Sequence, residues 1–272
     1  MSERIRIRNV YPFDAADRAM LAGLDPRLEW IHEGTDGPAW ADALVDAEVQ
    51  VISGSYAPGS LAGTPRLRWL TTMGAGLDEL IARDPWGLGI EVTNGSGLHA
   101  VHMAEFLLAG VLHASERVGP RLANHARQGW DETRRGLAGM RLRGRRAVVV
   151  GYGSIGRETA RLLDAFGVRV TAIKNDPSRR EDHGWREPGT GDPEGRIPDR
   201  WLGPDGLTDA VRGADFVLVT APSTPRTRGL VSAGVLAAMR PDAWLLNVGR
   251  GALVDQPALV AALDGRPCVE RP

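Results

Sequence analysis

Apolar and polar positions along this chain fall into short bursts whose period switches between that of a strand and that of a helix. Ile5 to Val10 reads as a strand, and Asp14 to Leu24 as a helix with Asp14 as its N-cap. Val49 to Gly54 and Leu67 to Met73 are apolar runs that stop at Gly, Ser or Thr, which suits buried parallel strands with loops at their carboxyl ends. Ile90 to Asn94 is a further strand. After the turn signal Asn94-Gly95-Ser96-Gly97, a long helix is expected from Leu98 to about Val118. Its Met103, Phe106, Leu107, Gly110, Val111 and Ala114 share one face, and Gly119-Pro120 ends it. Strands resume at Arg146 to Val150, Val168 to Ile173, Asp215 to Thr220 and Ala243 to Asn247. Between Asn175 and Gly206 no period holds, and an extended surface loop is expected. The alternation predicts an α/β protein with open, parallel sheets, divided at the start of the long helix into residues 1–97 and 98–272.

Composition supports two domains. The chain has 272 residues, 33 Lys plus Arg against 34 Asp plus Glu, six His and one Cys. Hydrophobic residues make up 43% and mean hydropathy is −0.20, which supplies a core and excludes global disorder. A net charge of −1 lacks the basic excess of a nucleic-acid protein. One cysteine excludes a disulfide scaffold and any Cys-based zinc motif. No apolar run nears the roughly 18 residues of a membrane span, and Met1 to Arg8 lacks the apolar stretch of a signal peptide. A cytoplasmic protein with neither nucleic-acid nor membrane partners is expected.

The chemistry begins at Val148-Val149-Val150-Gly151-Tyr152-Gly153-Ser154-Ile155-Gly156, a strand running into G-x-G-x-x-G, with a helix from Arg157 to Phe166 behind it. In a dinucleotide site Gly151 permits the tight turn, Gly153 lets the backbone approach a pyrophosphate, and Gly156 lets helix and strand pack closely. The helix N-terminus then offers free N–H groups and partial positive charge to the phosphates. A plain glycine-rich turn or a methyltransferase-like loop is the alternative. The next strand ends at Lys174-Asn175-Asp176, followed by Arg179 and Arg180. Asp176 suits the ribose hydroxyls of NAD, whereas Lys174 suits the 2′-phosphate of NADP. Both cofactors stay open, with NADP favoured. Lys174 is also the only lysine in the chain, hence the only candidate for a Schiff base, although a codon bias towards Arg explains its isolation.

Further on, Thr220-Ala221-Pro222-Ser223-Thr224-Pro225-Arg226-Thr227-Arg228-Gly229-Leu230 and Asn247-Val248-Gly249-Arg250-Gly251-Ala252-Leu253-Val254-Asp255 resemble the D-2-hydroxyacid dehydrogenase family, from about Leu67 to Gly265. The resemblance implies a flavodoxin-like substrate domain (1–97), a Rossmann NAD(P)-binding domain (98–272), a cleft between them and usually a homodimer. It implies hydride transfer between NAD(P)H and a small 2-oxo or 2-hydroxy acid. Arg250 matches the arginine that holds the substrate carboxylate, a task suited to a guanidinium fork. Ala75 and Gly76, in Met73-Gly74-Ala75-Gly76-Leu77-Asp78, resemble the backbone contact to that carboxylate. Ala221 and Pro222 match positions that line the nicotinamide end, and Val248 and Gly249 lie beside it.

The family also places an acid/base His–Glu pair C-terminal to that arginine. After Arg250 this sequence has no histidine, and its only glutamate is Glu270, in a tail that does not resemble the family's. The Rossmann domain is therefore expected to be incomplete at its C-terminus, through truncation, a shifted reading frame or a gene that ends there. Little or no turnover is expected from this chain, and a dinucleotide-binding regulatory protein is the alternative function. His99, His102 and Glu105 share a helical face, but their spacing matches no recognised zinc pattern, and no metal is expected. His99 is a weak substitute base at most. His32, His113, His125 and His183 carry no constellation. Trp130 and Trp185 suit partly buried packing better than ligand stacking.

Overall fold

A computed structural model describes residues 4–9, 14–33, 47–52, 61–127 and 138–264. Val10, residues 53–54, Trp130 and Glu270 lie outside the described residues, and of His32 only the backbone is described. The chain divides into two compact units, Met1–Leu98 and His99–Pro272.

The first unit holds β1 (Ile5–Asn9), α1 (Ala15–Leu24), β2 (Leu28–Glu33), β3 (Val49–Ile52), β4 (Trp69–Thr72), α2 (Asp78–Ile81) and β5 (Glu91–Asn94). Among the described residues these strands form one parallel sheet in the order β2-β1-β3-β4-β5, the flavodoxin-like order. Asp14 caps α1 by accepting from the amides of Ala16 and Asp17, both at 2.8 Å, and Asp17 closes the capping box on the Asp14 amide. Leu61, Leu67, Leu70, Leu80 and Ile90 make the core. β2 has no counterpart in the hydrophobic pattern. It sits at the edge of the described sheet, where no long apolar run is required of it.

The second unit begins with α3 (Ala100–Glu116) and α4 (Val118–Ala126), followed by β6 (Arg146–Val150), α5 (Ser154–Ala165), β7 (Arg169–Ile173), β8 (Arg200–Leu202), α6 (Leu207–Val211), β9 (Phe216–Val219), α7 (Ala233–Ala238), β10 (Trp244–Asn247) and α8 (Gln256–Asp264). Its described sheet is parallel, in the order β10-β9-β6-β7-β8. Chain order reverses between β6 and β9, the switch point of a Rossmann sheet. Both faces are covered. Val148, Val150, Val217 and Val219 pack against Leu207 and Val211 of α6 and Val235 and Leu236 of α7. The alternate residues Ala147, Val149, Phe216 and Leu218 pack against Leu107 and Val111 of α3 and Ala160 and Leu163 of α5. Each such valine or leucine contributes roughly 1.5–3 kcal/mol by burial.

Three expectations are corrected. Gly119-Pro120 does not end the long helix: the break falls at Arg117, whose φ is +51°, and both residues sit in the first turn of α4. A first-turn proline forfeits no helical hydrogen bond. The buried face of α3 runs through Ala100, Ala104, Leu107, Val111 and Ala114, which turns Phe106 outwards, 64% exposed. Residues 175–206 are not simply an extended surface loop. They end in β8 and a short 3₁₀ turn at Pro204–Gly206, and they are tied down by buried side chains of the glycine turn and α5. None of these long-range ties leaves a period in the sequence. Among the described residues no helix is long and apolar enough to cross a membrane.

Candidate functional site

The glycine turn that leaves β6 is fixed by sterics. Gly151 has φ +99°, and a Cβ on it would lie 2.5 Å from Ala221 Cα, so both backbone conformation and close approach demand glycine. A Cβ on Gly156 would strike the Gly151 carbonyl oxygen and come within 3.0 Å of Val149 Cγ1 and Thr220 Oγ1. The Thr220 hydroxyl donates to the Gly151 carbonyl at 2.5 Å and ties the turn to the end of β9. Gly153 differs: nothing lies within 4 Å of where its Cβ would stand. It is the N-cap of α5 and makes no side-chain cap bond, so its open side and the first-turn amides suit a phosphate ligand. Ser154 and Ile155 carry the turn into α5, which begins at Ser154 rather than at the expected Arg157 because Gly153 already serves as the cap.

A pocket of about 620 Å³ opens at the carboxyl ends of β6, β7 and β9, across the switch point. Gly151, Gly153, Lys174, Asn175, Ala221 and Pro222 line it. Thr227 stiffens the loop after β9, donating to the Pro222 carbonyl at 2.7 Å and accepting from the Thr224 amide at 2.8 Å. The Lys174 amide donates to the Leu202 carbonyl at 3.0 Å, which sets the residue at the mouth of β7. Burial lowers the pKa of its ammonium, and the nearby Arg157 guanidinium lowers it further. Asp176 does not line the pocket. Its carboxylate accepts from the Ser178 hydroxyl at 2.5 Å and amide at 3.0 Å, and these bonds hold it below the usual carboxylate range. Exposed Arg226 also lines the pocket, a cation that hydrophobic patterning could not single out because it lies in a loop.

The stretch after β10 reaches the neighbouring strand end. The amides of Val248 and Gly249 donate to the Val219 carbonyl at 3.0 and 3.2 Å. A Cβ on Gly249 would meet the Ala221 carbonyl oxygen at 2.7 Å. Asn247 staples the bend, accepting from the Gly249 amide and donating to the Arg250 carbonyl, both at 3.0 Å. The Arg250 side chain is exposed and donates to the Gly249 carbonyl at 3.0 Å. Gly249 stands against the pocket-lining Ala221, while Val248, Gly249 and Arg250 do not line that pocket themselves.

In the first unit, Ala75 and Gly76 lie in the loop after β4, where the Asn94 side chain donates to the Ala75 carbonyl at 2.8 Å. His99, His102 and Glu105 are exposed at the start of α3. Among the described residues no three or more His, Cys, Asp or Glu gather where they could hold a metal ion. His113 packs edge-on against Trp244 at 6.4 Å. Trp185 is not the partly buried packing residue expected: it is 59% exposed. The loop around it folds on itself, with the Arg186 guanidinium on the carbonyls of Asp182 and Gly184 at 3.3 Å, so no core closes over the indole.

A doubly wound sheet with a glycine turn at its switch point defines a dinucleotide-binding class of α/β protein. Residues 108–268 match the family model of the D-isomer specific 2-hydroxyacid dehydrogenase, NAD binding domain. The chain is 34% identical over 214 residues to the glyoxylate reductase of Aeropyrum pernix, covering 75% of this chain and 58% of that protein. It is 29% identical over 251 residues to the D-3-phosphoglycerate dehydrogenase of Mycobacterium bovis, covering 90% of this chain and 44% of that protein. In fold it resembles the crystal structure of a D-isomer specific 2-hydroxyacid dehydrogenase family protein from Aeromonas salmonicida, with a TM-score of 0.77 at 22% identity, covering 97% of this chain and 78% of that one. This chain belongs to the D-isomer specific 2-hydroxyacid dehydrogenase family. It spans 58% and 44% of the length of the two curated relatives.

Proposed function

We propose that this protein is an NAD(P)-dependent oxidoreductase acting on a small 2-oxo or 2-hydroxy acid. The observation that carries the reading is the open side of Gly153 at the cap of α5, facing a pocket that spans the switch point of a family-matched Rossmann sheet. The backbone of Gly151 and Gly153 and the first turn of α5, through Ser154 and Ile155, hold the pyrophosphate. Lys174 and Arg226 face the adenosine ribose and favour a 2′-phosphate, hence NADP over NAD, while Asp176 is occupied with Ser178. Ala221 and Pro222 would line the nicotinamide end, with Val248 and Gly249 beside it. Arg250 holds the substrate carboxylate through its guanidinium fork, and Ala75 and Gly76 keep the carboxylate-contact role that the resemblance gives them. When bound, the nicotinamide supplies the hydride acceptor or donor.

The first unit takes the role of substrate domain. The reading extends to a homodimer in the cytoplasm: Phe106 and Leu122, exposed on α3 and α4, offer apolar surface to a second copy, and a single cysteine suits a reducing compartment. The test is to mix the purified chain with NADPH or NADH and glyoxylate, pyruvate or hydroxypyruvate and to follow the nicotinamide absorbance. Oxidation that is largely lost in Arg250→Ala is expected, because the guanidinium fork would hold the substrate carboxylate. Oxidation at the same rate with and without Arg250 would refute the assignment.

A further inference from the structure

The segment between β7 and β8 is fastened to the glycine turn by a buried cluster that neither phosphate binding nor hydride transfer requires. Tyr152, the residue between the first two glycines, is 2% exposed, and its hydroxyl donates to the Asp192 carboxylate at 2.8 Å. Asp192, 5% exposed, also accepts from the amides of Arg196 and Ile197 at 2.9 and 3.1 Å. Arg157, directly after the third glycine and 2% exposed, donates to the carbonyls of Asp192 and Arg180, the latter at 2.6 Å, and lies 3.8 Å from the Asp182 carboxylate. Its guanidinium also stands 5.0 Å from the centre of the Tyr152 ring, and Trp201 packs edge-on against that ring at 4.8 Å. Glu158, 1% exposed, accepts from the Gly191 amide at 2.6 Å.

Burying a guanidinium and a carboxylate is costly unless each is paired, so removing one partner leaves an uncompensated charge and releases whatever it held. What this cluster holds is the part of the chain that follows Lys174. Arg157 grips the carbonyl of Arg180, which with Arg179 forms a pair of exposed cations a few residues beyond the end of β7. The same Arg157 and Asp182 act electrostatically on the Lys174 ammonium, from opposite sides of its charge balance.

We propose that Tyr152, Arg157 and Asp192 are positioning residues that lock residues 175–199 against the glycine turn and so set the pocket's preference for a 2′-phosphorylated over a plain adenosine ribose. The inference rests on the dinucleotide reading of the pocket and goes beyond it by assigning selectivity to side chains that need not touch the nucleotide through their polar groups. A merely structural role would weaken both nucleotides alike. A positioning role weakens the 2′-phosphate contact selectively, because pyrophosphate recognition stays with the glycine backbone and α5.

The experiment is calorimetric titration of the full chain, wild type, Tyr152→Phe and Asp192→Asn, with adenosine 2′,5′-bisphosphate and with 5′-AMP. Tyr152→Phe keeps the ring against Trp201 and Arg157 and removes only the hydroxyl, so it guards against Asp192→Asn failing to fold. The wild type should prefer the bisphosphate. Asp192→Asn should lower bisphosphate affinity about tenfold and AMP affinity about twofold or less, with Tyr152→Phe moving the ratio the same way by a smaller factor. Equal losses for both nucleotides, or an unchanged ratio in both variants, would overturn the proposal while leaving the dinucleotide reading intact. A wild type that binds neither probe would overturn both.

Discussion

The chain leaves β6 and β10 at the same end of one sheet, yet the two exits are built on different principles. After β6 the path is dictated by sterics: Gly151 sits at φ +99° against Ala221, Gly156 is pressed on Val149 and Thr220, and the Thr220 hydroxyl locks the turn. After β10 the bend is stapled by one asparagine side chain, and the exposed Arg250 side chain lies on it, donating to the Gly249 carbonyl. A phosphate held by backbone amides needs the backbone itself in place, so recognition and folding share the same glycines. A carboxylate held by a guanidinium needs a charge on a side chain rather than one particular backbone path. Substitutions at Gly151 or Gly156 should therefore cost stability, and loss of the Arg250 guanidinium mainly function.

Gly151→Val gives the largest expected effect. Strain at positive φ and overlap with Ala221 should together cost about 4 kcal/mol, a large part of an ordinary domain's stability. The midpoint of denaturant unfolding measures it, and a midpoint within error of wild type would break the contrast. Arg250→Ala comes next: kcat/KM for a 2-oxo acid should fall about 100-fold, or about 2.7 kcal/mol, with NADPH affinity and unfolding midpoint unchanged. An equal loss of NADPH binding would place Arg250 with the glycine turn instead.

A smaller effect concerns Lys174, whose lowered pKa means that the folded protein sheds this proton before the unfolded chain does at about 10.5. Between the two values the unfolded state binds more protons, so this group's contribution to stability rises with pH across that window. The attraction for a 2′-phosphate runs the opposite way, since it needs the ammonium. The preference for NADPH over NADH should hold near neutral pH and decline, by up to about tenfold, as pH rises through the lowered pKa towards that of a free lysine. Titrations at several alkaline pH values test this, and a constant ratio would remove Lys174 from the ribose end.

The difference between the two exits also explains what was legible in the sequence. β6 and β9 are buried on both faces and must be apolar runs, so their positions follow from pattern alone. The edge strands β2 and β8 face no such demand, and neither stands out. The order within residues 175–199 depends on Arg157 and Glu158 reaching distant backbone groups and on Tyr152 reaching Asp192, which no local spacing encodes. Gly151, Gly153, Lys174, Ala221 and Pro222, to which motif or resemblance gives a role, line one pocket, and Arg226, to which neither gives one, lines it too. Phe106 shows the limit of helical spacing: it fits the apolar repeat of α3, yet the buried face is centred one residue away, on Leu107.

Gly153 is where the two kinds of demand separate, because it is a glycine the fold does not need. Nothing lies within 4 Å of its missing Cβ, and an aspartate there would cap α5 better than glycine while placing negative charge where the pyrophosphate is to sit. The most direct measurement is a paired determination of unfolding midpoint and NADPH affinity for wild type and Gly153→Asp. Dinucleotide binding at this turn predicts a midpoint equal to or above that of wild type, together with NADPH affinity reduced at least about 100-fold. Unchanged NADPH affinity in a well-folded Gly153→Asp protein would contradict it.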